Sequence, residues 1–340
     1  MITIVELAKL AGVSDATVSL VLAGKDKGRV SATRRQQILD LAQKYGYRPN
    51  QAARALVQGR TSRIGLCLTG TLTSHAIIGE FSLHERLSLF AEAIQQAGYA
   101  LELVQVDLAQ PLEKLTRDLR LRAVDGIIFL DWPADLLEKP LFSLREQGVP
   151  AVASGTPFAD PGITWTDADS EAVFDLAVQR LRDEGRSQVV VVDTVVSEVP
   201  NAFRGYFARA MARWYGLAAE ECQIVSPAEH SFRGVYRTTA ELLRARPEVD
   251  ALILPDNYLA QAVLNAVESV GRAPGTDLRV IGYGDTVFAD QCHPRLSHYT
   301  RRIDEQVRFG LEALLEQINS PDTYQPRHLN ITPGYVEGET

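Results

Sequence analysis

The chain has 340 residues, of which 46% are hydrophobic, and a net charge of −8. This length allows two or three domains with a large core. No apolar run reaches membrane-spanning length and no signal segment opens the sequence, so we expect a cytoplasmic protein without a membrane partner. The three cysteines are widely separated, which argues against a disulfide framework or a metal site and suits a reducing compartment: Cys67, Cys222 and Cys292.

The charge is distributed unevenly along the chain. Residues 1–60 hold ten lysines and arginines against four acidic residues, a net charge of +6. The remaining residues hold 25 basic against 39 acidic side chains, a net charge of −14. Because clustered basic side chains bind phosphates, the sequence predicts that the N-terminal segment contacts nucleic acid and that the acidic body does not.

Two short helical patterns on either side of a glycine-containing turn open the chain. Thr3 can cap the first helix together with Glu6, as a capping box, and apolar residues then recur at helical spacing up to Ala11. Gly12 breaks this helix, and Ser14 is a suitable N-cap for a second one. This is the layout of a helix-turn-helix, whose second helix enters the DNA major groove.

A third helix is predicted to follow a Gly- and Lys-rich loop. Ser31 can cap it, and Gly46 suits its C-terminal end. Its predicted inward stripe is Ile38, Leu41, Ala42 and Tyr45. We expect the three helices to form an all-α headpiece over residues 1–48, packed around Leu7, Val18, Leu22, Ile38 and Leu41.

The string A-x-x-A-G-V-S-x-x-T-V-S, from residue 8 to residue 19, resembles the lactose/galactose repressor family (LacI/GalR). The resemblance implies a sequence-specific transcriptional regulator, a repressor, that binds a pseudo-palindromic double-stranded operator as a homodimer. By position in the motif, Asp15, Ala16 and Leu20 face the bases, whereas Thr17 and Ser19 meet phosphate. The remaining headpiece residues for which DNA contact is predicted are Thr3, Ser14 and Ser31.

Residues 45–60 read YGYRPNQAARALVQGR. A helix here is shorter than the roughly 12–15 residues that an isolated helix needs in water, so a plain linker over residues 49–61 is one interpretation. The segment also resembles the hinge helix of the same family, which folds on the minor groove beside its dimer mate. That resemblance makes Leu56 the wedge at a central CG step and implies groove contacts for Asn50 and Ala53, with Arg54 as a further DNA-binding residue.

The pattern changes beyond residue 62, where short apolar runs alternate with longer helical stretches. Such alternation predicts parallel sheets with helices on both faces. The predicted strands are Ile64–Leu68, Leu101–Val106, Gly126–Leu130, Ala151–Ala153, Gln188–Val192, Ala251–Leu254 and Leu278–Ile281. The predicted helices are Leu83–Ala97, Pro111–Arg122, Leu136–Gln147, Ala172–Glu184, Asn201–Tyr215, Tyr236–Ala245 and Leu259–Val270.

This body again resembles the family, through VDGIIFL at residues 124–130, DALILPDN, LRVIGYGD and the final ITPGYVEGET. The resemblance implies a two-lobed, periplasmic-binding-protein-like α/β effector and dimerisation domain over residues 62–340. Its lobe 1 is expected to comprise about 62–155 and 288–316. Lobe 2 is expected to comprise about 156–287 and 317–340.

Ligands of open α/β sheets bind beyond the carboxyl ends of the strands, which indicates the loops after the predicted strands. The resemblance implies a small-molecule effector there, a carbohydrate. Its predicted contacts are Trp132, Arg204, Asp256, Asn257 and Asp285. Two interpretations stay open for Trp132, which stacks on a sugar ring or packs as a rim aromatic, and for Arg204, which is a cleft arginine or a surface one.

The ligand side departs from the family pattern. Asp256–Asn257 inverts the usual Asn-Asp pair, and Gly284 replaces a usual Asp. A non-standard effector is one interpretation, and the absence of any effector is another.

No nucleotide-binding, nucleophile-elbow or zinc-protease motif occurs in the sequence, and the six histidines show no metal-ligand spacing. We therefore expect no enzyme activity, cofactor or metal. The alternatives are a sugar-binding transport protein, which the basic head argues against, and a cytoplasmic sugar-binding or sugar-modifying α/β protein fused to a DNA-binding head.

Overall fold

A computed structural model describes most of the chain. The described residues are 2–22, 24, 26, 28–47, 60–69, 81–106, 114, 117, 124–130, 134–194, 201–229, 231–284 and 286–340. The chain divides into two compact units, a headpiece over Met1–Ser62 and a body over Arg63–Thr340. None of the helices in the described ranges is long and apolar enough to cross a membrane.

The headpiece is built from three helices, α1 (Ile4–Ala11), α2 (Asp15–Leu22) and α3 (Ala32–Lys44). Thr3 and Glu6 form the predicted capping box at the start of α1. Gly12 ends α1 in the left-handed conformation, with φ of 65°, which glycine adopts without steric cost. The local signals for these helices are therefore confirmed.

Seven buried side chains form the headpiece core: Leu7, Ala8, Ala11, Val18, Val21, Ile38 and Ala42. Leu22 and Leu41, both predicted for the core, pack partly buried against these residues, and Val21 adds a buried side chain that was not predicted. The predicted stripe of α3 is wrong at its last residue. Tyr45 is 44% exposed, because α3 ends at Lys44 and the next residue no longer lies on its inner face.

The body contains two six-stranded sheets. The first has the strand order β11-β5-β4-β3-β1-β2 and the second β12-β10-β9-β8-β6-β7. All of the pairings are parallel except that of β10 with β12. The strands are β1 (Arg63–Thr69), β2 (Ala100–Val106), β3 (Gly126–Leu130), β4 (Ala151–Ser154), β5 (Trp165–Ala168), β6 (Val189–Val192), β7 (Gln223–Val225), β8 (Ala251–Leu254), β9 (Arg279–Tyr283), β10 (Ser297–Thr300), β11 (His328–Ile331) and β12 (Gly334–Val336).

Hydrophobic clusters cover both faces of each sheet, as parallel sheets require. In β1, Ile64, Leu66 and Leu68 belong to one cluster and Cys67 to the other, which follows the alternation of side chains along a strand. The helices of the body are α4 (Phe81–Gln96), α5 (Ala134–Glu146), α6 (Ser170–Asp183), α7 (Asn201–Tyr215), α8 (Phe232–Ala245), α9 (Ala260–Ser269), α10 (Thr286–Gln291) and α11 (Ile303–Asn319). The helix predicted over Pro111–Arg122 lies largely outside the described residues.

The sheets correct the predicted lobe boundaries. β5, expected in lobe 2, pairs with β4 in the first sheet, and β11 joins the same sheet by pairing with β5. β10, expected in lobe 1, pairs with β9 in the second sheet. The chain therefore passes between the sheets three times, after β5, after β10 and after β11.

Candidate functional site

The first candidate surface is the N-terminal end of α2. Asp15, Ala16 and Ser19 are exposed there, while Thr17 and Leu20 are half-buried. Ser14 caps the helix, because its Oγ accepts a hydrogen bond from the Thr17 backbone N–H at 3.2 Å. The same Oγ lies 2.9 Å from the Thr17 hydroxyl. Among the described residues, the hydrogen bonds that hold the outermost side chains of this end are local ones.

Electrostatics favour the acid at this position. The Asp15 carboxylate accepts a hydrogen bond from the Ala16 N–H at 2.9 Å, in the first turn of α2. A negative side chain is stabilised there by the positive end of the helix dipole. The exposed Asp15 side chain is therefore held at the N-terminal end of α2, and its carboxylate can accept further hydrogen bonds from a partner.

The arginines of α3 hold the headpiece together. Arg34 donates to the Ala11 carbonyl at 3.0 Å and so ties α3 to the end of α1. Arg35 lies 3.2 Å from the carboxylate of Asp26, which is buried. Lys9 and Arg29, by contrast, are exposed and can meet phosphates.

The remaining predicted DNA contacts have different placements. Thr3 and Ser31 are exposed, and each hydroxyl caps a helix by accepting a backbone N–H, from Glu6 and Arg34 respectively. The four hinge residues lie outside the described residues: Asn50, Ala53, Arg54 and Leu56.

The second candidate surface is the carboxyl edge of the second sheet. Polar side chains follow three neighbouring strands there: Asp193 and Thr194 after β6, Ser226 after β7 and Asp256 after β8. We call these four residues, with Arg204 and Arg301, the edge cluster. Two chains of hydrogen bonds run through it.

The first chain of bonds includes the predicted Arg204. Its guanidinium lies 3.3 Å from the Ser226 hydroxyl, which in turn donates to the Asp193 carboxylate at 3.1 Å. Asp193 is buried, whereas Arg204, on α7, is exposed. The structure thus brings Arg204 to the edge of the sheet.

The second chain of bonds centres on Asp256. Its carboxylate accepts from the Tyr258 N–H at 2.8 Å and from Arg301 at 3.3 Å. The Arg301 guanidinium also lies 4.8 Å from the centre of the Tyr283 ring. Burial raises the pKa of Asp256, although Arg301 acts in the opposite direction. The hydroxyl of Thr194 fixes the backbone by donating to the Asp256 carbonyl at 2.6 Å.

Asn257 has a different surrounding from Asp256. It is 2% exposed, and its Nδ2 donates to the Gly284 carbonyl at 3.1 Å. A Cβ at position 282 would collide with the Asn257 Oδ1, so Gly282 is needed for this packing. The Asp256 side chain, in contrast, is 20% exposed. Asn257 therefore supports the end of β9, and its neighbour is the accessible polar group.

Arg86 links the first sheet to Arg301 of the edge cluster, through Gln306. This buried arginine on α4 lies 3.5 Å from the Ser154 carbonyl at the end of β4 and 3.1 Å from the Gln306 side chain. Gln306 in turn donates to the Arg301 carbonyl at 2.8 Å. The two sheets are thus linked by hydrogen bonds beside the second crossing of the chain.

Among the polar residues of this region, sequence reasoning missed Arg86, Asp193, Thr194, Ser226, Arg301 and Gln306. Asp193, Thr194 and Ser226 follow apolar strands, so the rule that indicated Asp256 applies to them as well. Arg86 and Arg301 carry no local signal, because tertiary packing brings them there. The predicted contacts Trp132 and Asp285 lie outside the described residues.

Within the described ranges, no group of three or more His, Cys, Asp or Glu side chains is placed to hold a metal ion. The edge cluster offers carboxylates as acceptors, guanidinium groups as donors, and hydroxyls that can do either. Such groups bind hydroxyl-rich or charged organic ligands by hydrogen bonds.

A helix-turn-helix headpiece joined to a two-sheet α/β body defines a class of DNA-binding transcriptional regulators. Residues 3–50 match the model of the "bacterial regulatory proteins, lacI family", and residues 160–340 match a "periplasmic binding protein-like domain". The chain belongs to the lacI family of bacterial regulatory proteins, which confirms the resemblance of its motifs.

Relatives match along almost the whole chain. The HTH-type transcriptional regulator CelR of Thermobifida fusca is 27% identical over 326 residues, covering 94% of this chain and 93% of the relative. The ribose operon repressor of Escherichia coli (strain K12) is 26% identical over 346 residues, covering 99% of each.

Solved structures confirm the fold. The Lac repressor dimer bound to operator and the anti-inducer ONPF is similar with a TM-score of 0.75 at 18% identity, covering 100% of this chain and 98% of that one. The CelR–cellobiose complex is similar with a TM-score of 0.65 at 23% identity, covering 100% and 99%. The predicted fold class, an all-α headpiece plus a periplasmic-binding-protein-like α/β body, is therefore confirmed.

Proposed function

We propose that this regulator is a repressor that binds a pseudo-palindromic operator as a homodimer. The observation that carries the proposal is the end of α2, where Asp15, Ala16 and Ser19 are exposed in a lacI-family headpiece. A dimer reads two half-sites related by its own two-fold symmetry, so the operator mirrors that symmetry. The name of the E. coli relative, a ribose operon repressor, supports repression over activation.

Base readout follows from the chemistry of the exposed side chains. A carboxylate accepts a hydrogen bond from cytosine N4, so Asp15 selects cytosine. The methyl groups of Ala16 and Leu20 suit the thymine methyl. Phosphate contacts from Thr17, Ser19 and the exposed cations set the register of the helix without selecting sequence.

We further propose that a carbohydrate binds at the edge cluster and controls operator binding. Sugar hydroxyls donate to carboxylates and accept from guanidinium groups, so a sugar can replace the bonds that Asp256 and Arg204 make within the protein. CelR is solved with cellobiose and another relative is named for ribose, which supports the sugar class. On this proposal Asp256 replaces Asn257 as the polar contact, with Trp132 and Asp285 as further contacts.

Control of DNA binding requires that the ligand favours one arrangement of the body over another. Arg301 is suited to this, because it contacts Asp256 in the second sheet while Gln306 holds its carbonyl beside the first. A ligand that binds Asp256 alters the Asp256–Arg301 pair. Arg301 lies where the chain crosses from the second sheet to the first. The effector thereby shifts the population of the DNA-binding state.

The proposed division of the chain is a headpiece over 1–48, a hinge over 49–61 and an effector and dimerisation body over 62–340. We place the protein in the cytoplasm, where its operator is accessible.

Thermal unfolding of the full chain against a panel of mono- and disaccharides tests the effector class. We expect one sugar to raise the melting temperature and to change the affinity for an operator selected from random DNA. A sugar that binds without changing operator affinity contradicts the control mechanism. Chemical turnover of the sugar in the same samples contradicts a purely regulatory body and favours the sugar-modifying alternative.

A further inference from the structure

A cavity of about 350 Å³ opens at the amino edge of the first sheet. Its wall includes Pro150 and Ala151 at the start of β4 and Ile163 and Thr164 just before β5. The edge cluster lies beyond the carboxyl ends of the strands. The cavity is therefore separate from the proposed effector site, and its volume is within the range of small-molecule pockets.

Rigid contacts hold the walls of this cavity open. The Gln317 side chain on α11 both accepts from the Ala151 N–H at 3.0 Å and donates to the Ala151 carbonyl at 3.1 Å. Pro321 and Pro326 line the cavity from the segment between α11 and β11, where the fixed φ of proline limits backbone freedom. The cavity is thus formed by ordered elements and needs little rearrangement to accept a ligand.

Among the described residues that line the cavity, Arg145 carries a positive charge and none carries a negative one. The guanidinium of Arg145 lies over Gly162, so close that a Cβ at position 162 would collide with it. None of the described residues that line the cavity is acidic, and no ion pair among the described residues includes Arg145. The nearby Asp160 carboxylate accepts from the Gly162 N–H at 2.7 Å. An arginine at such a wall is a donor for a carboxylate or phosphate.

A second donor lies on the other side of the cavity. The hydroxyls of Thr164 and Tyr324 are 2.7 Å apart, and the Thr164 hydroxyl also accepts from the Arg327 N–H at 3.4 Å. When Thr164 donates its single hydrogen to Tyr324, the phenolic hydrogen remains available to a ligand. The half-buried Tyr324 ring and the side chains of Leu141 and Ile163 offer apolar contact.

We propose that this cavity is a second ligand site of the regulator, for a small organic anion. The anionic group, a carboxylate or a phosphate monoester, binds the Arg145 guanidinium and the Tyr324 hydroxyl. An apolar or ring-shaped body of the ligand occupies the space between the prolines and Leu141. The site is independent of the sugar proposed at the edge cluster.

Calorimetric titration of the full-length protein tests the site with three probes of one shape: phenyl phosphate, benzoate and the neutral benzyl alcohol. We expect saturable binding of at least one of the two anions in the millimolar range, as suits ligands of this size, and clearly weaker binding of the alcohol. Equal binding of all three probes would show that the cation has no part in recognition. No binding of either anion below about 10 mM, a deliberately generous limit, would overturn the proposal.

Variants assign the binding to this cavity. Arg145→Gln is expected to weaken anion binding at least about fivefold, because a charge-assisted hydrogen bond is lost. Tyr324→Phe keeps the ring and is expected to weaken it about two- to fivefold. The matched control is Arg308→Gln, an exposed arginine of α11 that does not line the cavity. Anion binding that survives Arg145→Gln, or that falls equally in Arg308→Gln, places the anion elsewhere and refutes the site.

Discussion

The two candidate surfaces of this regulator use polar side chains in opposite ways. At the end of α2, Asp15 and Ser14 bond to the backbone and side chains of the first turn of their own helix. In the edge cluster, Asp256 and Arg204 bond to groups that lie far away in sequence. The headpiece therefore presents its donors and acceptors to DNA without prior rearrangement.

The difference has an energetic meaning. A ligand at the edge cluster must replace internal hydrogen bonds, so its affinity reflects a difference between two sets of bonds. That exchange couples binding to the conformation of the body. DNA contact at α2 exchanges water for bases and phosphates and needs no such coupling. On the proposed function, the headpiece recognises DNA and the edge cluster responds to the effector.

The largest expected effect concerns the responding surface. Asp256→Asn keeps the shape of the side chain but removes its charge, so binding of the sugar identified by thermal unfolding is expected to weaken about 10- to 100-fold. Operator affinity without sugar should stay within about twofold, because α2 is untouched. Calorimetry and operator titration measure the two quantities. Unchanged sugar affinity would remove Asp256 from the site.

The hinge gives the next largest effect. Leu56→Ala is expected to weaken operator binding at least tenfold, about 1.4 kcal/mol, because the wedge that offsets base unstacking is lost. Binding to scrambled DNA, which depends on phosphate contacts, should change much less. Titration against both duplexes at one salt concentration is the measurement. Leu10→Ala, at an exposed leucine of α1, is the matched control, and equal losses on both duplexes would contradict the hinge.

Asn257→Asp tests whether this side chain supports β9 without touching ligand. The change replaces the donor to the Gly284 carbonyl by a carboxylate, which is expected to lower the free energy of unfolding by about 1–3 kcal/mol. Asn265→Asp is the control, because its Oδ1 accepts from Gln261 and a carboxylate still accepts. Urea unfolding measures both variants. A fully stable Asn257→Asp protein with altered sugar affinity would return Asn257 to the binding site.

The raised pKa of Asp256 predicts a pH dependence of the response. The ionised carboxylate is the stronger acceptor for sugar hydroxyls, and its protonation begins at a higher pH than for an ordinary aspartate, near 3.9. Sugar affinity is therefore expected to fall as the pH drops towards this raised pKa. The dependence should be absent in Asp256→Asn. Identical pH profiles in both proteins would assign the titration to another group.

The smallest expected effect on affinity concerns recognition. Asp15→Asn changes an acceptor into a group that also donates, so the base selected in each half-site is expected to change. Overall DNA affinity should change only a fewfold. Operator selection from a random pool by both proteins tests this, with Asp40→Asn on α3 as a control for loss of one negative charge. An unchanged consensus would remove Asp15 from base readout.

The headpiece was predictable because its signals are local. The capping box at Thr3, the left-handed Gly12 and the cap at Ser14 each depend on residues within one helical turn. The exception is Tyr45, whose predicted burial required the helix to continue past its real end.

In the body, the strands that were predicted are mostly apolar runs, and six of the seven predicted helices overlap observed helices. The strands that escaped prediction are short and polar, as in WTDA of β5 and SHYT of β10. Their sheets are chosen by pairing with distant strands, which explains the wrong lobe boundaries. The long helix α11 had a helical apolar pattern that sequence reasoning overlooked. The role of Asn257 depends on the missing Cβ of Gly282, 25 positions away, and no local pattern contains it.

The last two strands of the chain are needed to complete the two sheets of the body. β11 completes one edge of the first sheet and β12 one edge of the second, so neither sheet is whole until the final residues have been made. The headpiece core, in contrast, is complete by residue 42. At about 5–20 residues per second, translation of the body takes roughly 15–55 s. All residues of the headpiece core are therefore synthesised long before the strands that complete the body.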